Sequence, residues 1–466
     1  MITLTLAEIA DATGGTVHDT PDPEQVLVTA PSASDSRDVH AGGMFVAVSG
    51  ARVDGHDYVP QAIAAGASCV LATRPVGAPA VVVDDVTNAL GQLAQHALTR
   101  TGAQIVALTG SAGKTTTKDL LAQVLARHGS TVATPGSFNS EIGLPLTVLR
   151  ADDTTRYLVL EMGARHRGDI AYLTGLTPPR IGIVLNVGSA HVGEFGSRQA
   201  IAEAKSELVQ ALPPASEGGV AILNADDELV AAMADRTKAA VTYYGTSPTA
   251  TIRATDIHLT AGRAAFHLHT PDATAPVTLQ LLGAHQVHNA LAVAAAAHSL
   301  GMATDAIAKA LSAAAPISAG RLQILERPDG TTIINDAFNA NTESTRAGLE
   351  TLAALAQGRR TIAVLGEMKE LGDTAVEAHQ TIGRLVADLG IHTLVTVGTS
   401  PETTALTEAA RTTNPTLTTA TADNADTLQN TLTPLLTPGD VILIKASRSV
   451  GLEHFADTLQ TDQPRV

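Results

Sequence analysis

The stretch IVALTGSAGKTTTKDLL, residues 105–121, puts a glycine-flanked turn ahead of a lysine and three threonines. The residues before the turn are apolar and strand-like, and TTTKDLLAQVLARHG behind it reads as a helix. Strand, glycine turn and helix in that order aim backbone N–H groups and a helix N-terminus at one point, an arrangement that holds phosphate oxygens. Gly110, Ser111, Ala112 and Gly113 form the turn. Lys114 is placed to reach terminal phosphates, and the hydroxyl of Thr115, with Thr116 beside it, to ligate Mg²⁺. The pattern is G-x-x-G-K-T-T, with Leu108 where the strict phosphate-loop pattern has glycine. Nucleotide binding is the first expectation.

Two further residues could join this site. Glu161 follows the apolar run YLVL, and His191 comes just after IGIVLNV. In an open α/β sheet ligands gather beyond the carboxyl ends of the strands, so both side chains could converge on the nucleotide. Each also has an ordinary reading, Glu161 as a partner of a helix N-terminus and His191 as a hydrogen-bonded loop histidine.

Elements that would carry such a site recur along the chain. Strand-like apolar runs alternate with helix-like segments, the pattern of α/β domains on largely parallel sheets. Three blocks separate, 1–103, 104–317 and 318–466. The middle block is expected to be a phosphate-loop mononucleotide-binding domain. Pro316 and Gly320 make a candidate hinge after it. In the third block TTIIND, TIAVLG, TLVTVG and DVILIK are strand candidates separated by helices, which reads as Rossmann-like.

Composition narrows the class. With 466 residues, 44% hydrophobic and 16% charged, the chain can bury a sizeable core. A net charge of −16 argues against a general nucleic-acid binder, which needs basic surface to neutralise phosphates. The single cysteine, Cys69, excludes an internal disulfide and a cysteine-based zinc cluster, and its apolar setting predicts an inert buried thiol. The N-terminal MITLTLAEIADATGG lacks a basic n-region and no uncharged apolar run reaches membrane-spanning length, so a cytoplasmic protein without membrane insertion is expected.

Nine segments stand in a telling order: TGSAGKTTTK, SFNSEIGLPLTVL, LEMGARHRGDI, NVGSAHVGEFGS, AEAKSEL, GAHQVHNALAVAAA, NDAFNANTEST, LGEMKELG and KASRSVGLE. The ordered set resembles the Mur ligases, ATP-dependent enzymes that build the peptide stem of peptidoglycan. GEMKELG at 366–372 and FNSEIGLP at 138–145 are similar to the branch that adds D-alanyl-D-alanine, and the DNPR sequence of the branch adding the third residue is absent. Residues 34–67 resemble a UDP-recognition block, which the related folylpolyglutamate synthetases lack.

The resemblance implies that ATP phosphorylates the terminal carboxylate of UDP-N-acetylmuramoyl-tripeptide and that D-alanyl-D-alanine attacks the acyl phosphate, in a monomer using ATP and two Mg²⁺ ions. It assigns Glu161 to the first ion and His191 to the second. For Lys205 in AEAKSEL it implies carbamylation by CO₂, where the ordinary reading is a solvated lysine on an amphipathic helix. A carbamate offers hard oxygen ligands that suit Mg²⁺. Of the family pattern H-N-x-x-N, Asn289 is retained as an adenine contact and Gln286 replaces the first asparagine, with helix packing the alternative for Asn289. Arg321 resembles the arginine that reaches the γ-phosphate when domains close, or is a surface arginine. Asp336 resembles the ribose-contacting aspartate, with Asn339 nearby and Phe338 where the family usually has tyrosine. Ser36, Arg37, Asp54, Gly55 and His56 are candidates for the UDP end, against a helix-capping role for Asp35 and Ser36. Lys445, Ser447 and Arg448 would meet the dipeptide carboxylate or the far side of the nucleotide. Two competing readings are a Mur-type ligase with another amino-acid acceptor and a phosphate-loop ATPase that ligates nothing.

Overall fold

The computed structural model describes residues 1–50 and 53–461. Residues 51 and 52, within the expected UDP-recognition block, and 462–466, at the end of the third block, lie outside the described residues.

Three parallel-rich sheets carry the chain. The central sheet has nine strands in the spatial order Thr274–Leu282, Arg263–His269, Ile252–Thr260, Ala240–Gly245, Val220–Asn224, Ile181–Val184, Gln104–Thr109, Tyr157–Glu161 and Thr131–Ala133. From Ala240–Gly245 to Thr131–Ala133 all neighbours are parallel. Such strands are covered on both faces, which is why Tyr157–Glu161 and Ile181–Val184 are buried at every position and read as continuous apolar runs. The antiparallel strand Thr274–Leu282 instead alternates exposed and buried residues, as a one-sided strand must.

The helix Gln286–Ser299 is buried along almost its whole length. Its alanines are strong helix formers with little bulk, so the helix can lie close against Lys114–Ala126 in one core. That contact sets Asn289 over the phosphate loop.

The N-terminal sheet runs Thr16–His18, Ala80–Val82, Cys69–Ala72, Met44–Val46. Its core continues into the central block, because Leu146 and Leu149 join Leu90 and Leu93 in one cluster. Cys69 lies inside, fully buried, and burial pushes its thiol up to about 12, the inert cysteine the sequence predicts. The C-terminal sheet runs Gln323–Glu326, Thr332–Asn335, Val441–Lys445, Thr361–Gly366, Thr393–Val397, Thr418–Ala422, parallel except for its first edge strand. Among the described residues no helix is long and apolar enough to cross a membrane.

Candidate active site

The phosphate loop begins where Gln104–Thr109 leaves the middle of the central sheet. Gly113, at φ +81°, opens the helix Lys114–Ala126. A Cβ there would stand 2.7 Å from Asn289 Oδ1, and one on Gly110 2.8 Å from Leu185 Cβ, so both positions need glycine for space and Gly113 also for conformation. Among the described residues the amides of Gly113, Lys114, Thr115 and Thr116 donate to no protein group, as expected of an anion cradle at a helix N-terminus.

The loop is pinned by a residue the sequence reading did not assign. Asn186 Oδ1 accepts from Ala112 N at 2.9 Å, and its Nδ2 donates to Ala112 O at 3.1 Å. Its only sequence signal is its place, just past a buried strand. Removing the amide orphans a donor and an acceptor, which costs about 1–3 kcal/mol. We expect Asn186→Ala to weaken ADP binding about tenfold. Calorimetric titration with unchanged ADP affinity would refute this role.

Around the cradle the candidate catalytic groups converge. Lys114 Nζ donates to Gly110 O at 2.7 Å. Desolvation draws its pKa down, Glu161 opposes the shift and Arg321 adds to it. Glu161, the last residue of its strand, is buried; its Oε1 accepts from Asn139 Nδ2 at 2.7 Å, while Oε2 has no partner among the described residues. The buried hydroxyl of Ser111 is also unpaired. Thr115 Oγ1 accepts from Arg321 Nη2 at 3.2 Å. Lys205, on the helix Arg198–Gln210, is buried, and its Nζ has no hydrogen bond or ion pair among the described residues. Burial, and secondarily Lys114, push its pKa well below the usual lysine range. His191, half-buried at φ +61°, has its pKa lowered by desolvation, with Glu370 opposing and Lys114 and Lys205 contributing. Its Nδ1 lies 2.5 Å from Glu370 Oε2, a close polar contact outside aligned hydrogen-bond geometry.

Among the described residues no three histidine, cysteine or acidic side chains gather as a metal site. The donor set fits magnesium of the phosphate-bound kind, with one carboxylate oxygen lacking a partner among the described residues, one hydroxyl and one imidazole edge, the rest to come from phosphates and water.

A cavity of about 530 Å³ adjoins the cradle, between the central and C-terminal sheets. Gly113, Asn289, Arg321, Asp336 and Lys445 contribute to its wall. Asn289 Nδ2 donates to Gln286 Oε1 at 2.8 Å, so the carboxamide that replaces asparagine holds its neighbour. His285 faces the same space, and burial takes it down to about 4, leaving the ring neutral. Lys445 Nζ reaches Asp336 Oδ2 at 2.6 Å and Asn339 O at 2.9 Å. It is therefore engaged with the aspartate. Asn339 itself is exposed and contributes its carbonyl. Ser447 Oγ accepts from Lys369 N at 2.9 Å, tying down the GEMKELG loop. Arg448 is exposed and paired with Glu453 at 3.2 Å. Two arginines lie over Phe338, with the guanidinium of Arg321 4.0 Å and that of Arg448 5.5 Å from the ring centre.

The third block lies against the cradle through several contacts. Glu343 takes Ser189 N at 2.8 Å and Ser189 Oγ at 3.0 Å, and Ser318 Oγ donates to Asp119 Oδ2 at 2.6 Å.

The candidates for the UDP end form a separate group and do not line this cavity. Two short turns, Ser36–Asp38 and Gly55–Tyr58, pack on the helix Val59–Ala64. Ser36 Oγ donates to Gln61 Oε1 at 3.0 Å, and Asp35 caps its turn while holding Arg37 at 2.5 Å. Asp54 accepts from His56 N at 3.0 Å and lies 2.6 Å from His56 Nδ1. Thr73 N donates to His56 Nε2 at 3.1 Å, which leaves the ring proton on Nδ1. A Cβ on Gly55 would meet the backbone of Val48 at 2.7 Å.

Comparison with known proteins identifies the family. Family models described as Mur ligase family catalytic domain, Mur ligase middle domain, and Mur ligase glutamate ligase domain match residues 33–98, 108–297 and 320–448. UDP-N-acetylmuramoyl-tripeptide--D-alanyl-D-alanine ligase of Mycobacterium tuberculosis strain H37Rv is 45% identical, covering 99% of this chain and 98% of its own. The enzyme of that name from Escherichia coli K12 is 35% identical over 85% of this chain and 86% of its own. A crystal structure of MurF from Acinetobacter baumannii superposes with a TM-score of 0.85 at 32% identity, covering 99% of both chains. MurF ligase from Thermotoga maritima in complex with ADP superposes with a TM-score of 0.76 at 29% identity, over 94% of this chain and 98% of that one. The phosphate cradle, the buried lysine behind it and the arginine supplied across the cleft are thus those of a chain that belongs to the Mur ligase family.

Proposed function

We propose that the protein joins D-alanyl-D-alanine to UDP-N-acetylmuramoyl-tripeptide at the expense of ATP, yielding the pentapeptide precursor of peptidoglycan. The observation that carries this reading is the convergence of Lys114, Thr115, Glu161, His191 and Lys205 on one cradle, with Arg321 reaching it from the third block. Amide formation from a carboxylate in water is uphill, so a carboxylate oxygen first attacks the γ-phosphorus of ATP, the bond to the bridging β-phosphate oxygen breaks, and ADP departs with that electron pair, leaving an acyl phosphate. The neutral dipeptide amine then attacks the carbonyl carbon, the C–N bond forms, inorganic phosphate departs with the C–O electron pair, and the nitrogen gives up one proton to phosphate or solvent.

The residues' work is positioning and charge stabilisation, because a carboxylate must approach an already negative γ-phosphate. Lys114 and the free amides of Gly113 to Thr116 hold the terminal phosphates, and Arg321 adds positive charge from the opposite side. Magnesium, held by Thr115 and Glu161 at one position and by His191 and a carbamylated Lys205 at the other, would offset the repulsion between the two anions. Asn289 and Asp336 hold the adenosine, the latter fixed by Lys445. On this reading 1–103 binds the UDP end, 104–317 binds ATP and 318–466 receives the dipeptide, with Ser447 and Arg448 toward its carboxylate. ATP and a nucleotide-linked substrate call for a cytoplasmic enzyme.

Incubation with UDP-tripeptide, ATP and D-alanyl-D-alanine is expected to give a product heavier by one dipeptide less one water, with equimolar phosphate. A mass spectrum showing an adduct only with some other amino acid would assign a different acceptor. ATP hydrolysis without any adduct would remove the ligase reading.

A further inference from the structure

The GEMKELG loop, residues 366–372, leaves the strand Thr361–Gly366. Glu370 extends from it to His191, placing Oε2 2.5 Å from Nδ1, and the Glu370 carbonyl accepts from Gly193 N at 3.0 Å. The two loops meet backbone to backbone. A Cβ on Gly193 would lie 2.7 Å from Gly372 N, and one on Gly372 2.8 Å from Gly193 Cα, so glycine on both sides permits the approach. Val192, between the two contacts, packs against the cores of both the central and the C-terminal blocks. His191 and Glu370 each hold a left-handed backbone, φ +61° and +65°, a conformation that residues with a Cβ adopt rarely and keep where their surroundings hold them.

Geometry of this kind has a chemical consequence for an imidazole. A carboxylate this close to Nδ1 favours the ring proton on that nitrogen by its charge and limits the ring's rotation by contact, which leaves the Nε2 lone pair for a metal. No protein group bonds Nε2 of His191 among the described residues.

We infer that Glu370 is a positioning residue: it reaches across from the C-terminal block to orient His191 toward the second metal ion, so that this ion's site is complete only when that block is docked. The inference rests on the reading of His191 as a metal ligand given under the proposed function. Docking of the third block and assembly of the metal site are then one event, and the ion that serves phosphoryl transfer is held well only in the closed enzyme.

The test counts Mn²⁺ ions on the full chain by electron paramagnetic resonance, with a non-hydrolysable ATP analogue and UDP-tripeptide present. The wild type should bind two ions. Glu370→Ala, and the isosteric Glu370→Gln should the alanine variant fold poorly, should keep the first affinity and bind the second ion about 10–100-fold more weakly. The Mg²⁺ concentration for half-maximal turnover should rise in step, with kcat largely recovered at saturating Mg²⁺. Two ions at wild-type affinity in the variants would reduce Glu370 to a docking clasp and overturn the inference. Equal loss of both ions, or a single ion on the wild type, would overturn it as well. The ligase reading fails separately: a wild type that makes no dipeptide adduct but loses second-ion affinity on Glu370 substitution would refute the reaction and keep the positioning role.

Discussion

Lys114→Ala should lower kcat by about 10²–10³-fold, about 3–4 kcal/mol of transition-state stabilisation, while leaving the protein folded. The side chain opens a helix at its first position and spends its one hydrogen bond on the Gly110 carbonyl, within the cradle itself. It belongs to no apolar cluster, so its removal leaves no cavity in a core. Its charge sits in a desolvated place, where a cation is worth more to a phosphate than it would be in water. The truncation therefore takes away an interaction that grows as the γ-phosphoryl group moves, with a change in folding stability of roughly 1 kcal/mol or less. Rapid-quench measurement of phosphate release together with a thermal melt checks both halves. Turnover within a few-fold of the wild type would mean that another cation serves the phosphates.

What could be read in advance followed from locality. The phosphate loop and Glu161 were placed because each sits at the end of a buried parallel strand, and His191 because it lies in the loop that follows one; such strands announce themselves as unbroken apolar runs. The groups that complete the site were not legible, because their partners are remote. Asn186 meets Ala112 across 74 positions, Glu343 meets Ser189 across 154, and neither carboxamide nor carboxylate differs in sequence from a solvated one. The same distance hides what a cation is already doing. Lys445 reads as free for a substrate carboxylate, yet Asp336, 109 residues earlier, holds it at 2.6 Å. Arg37, by contrast, is tied to an aspartate two residues away, a pairing the DSR triplet itself carries.

Lys205→Ala should lose about 100-fold or more of its activity, and short carboxylates such as acetate should restore part of it. The lysine of an ordinary amphipathic helix keeps its ammonium in water. Lys205 is instead buried with an unpaired Nζ, and desolvation, helped by the charge on Lys114, holds its pKa far below the ordinary value. Desolvation thus favours the neutral amine, the form that alone attacks CO₂. The N–C bond forms, a proton leaves to solvent, and the product is an anion that exchanges a buried unpaired donor for two oxygen acceptors beside Lys114. Lowering the pH protonates the amine and should release the CO₂, so activity should fall on acidification and return more fully with bicarbonate than without it. Acetate fits the space vacated in the alanine variant and brings the same two oxygens; Lys205→Arg keeps bulk and charge there and should not respond. A ¹³C resonance of a carbamate in protein equilibrated with ¹³CO₂, absent from Lys205→Ala, would identify the group directly. Full activity of the alanine variant, or a wild type indifferent to CO₂ removal at mildly acid pH, would leave Lys205 as a buried amine whose work is confined to the packing of its helix.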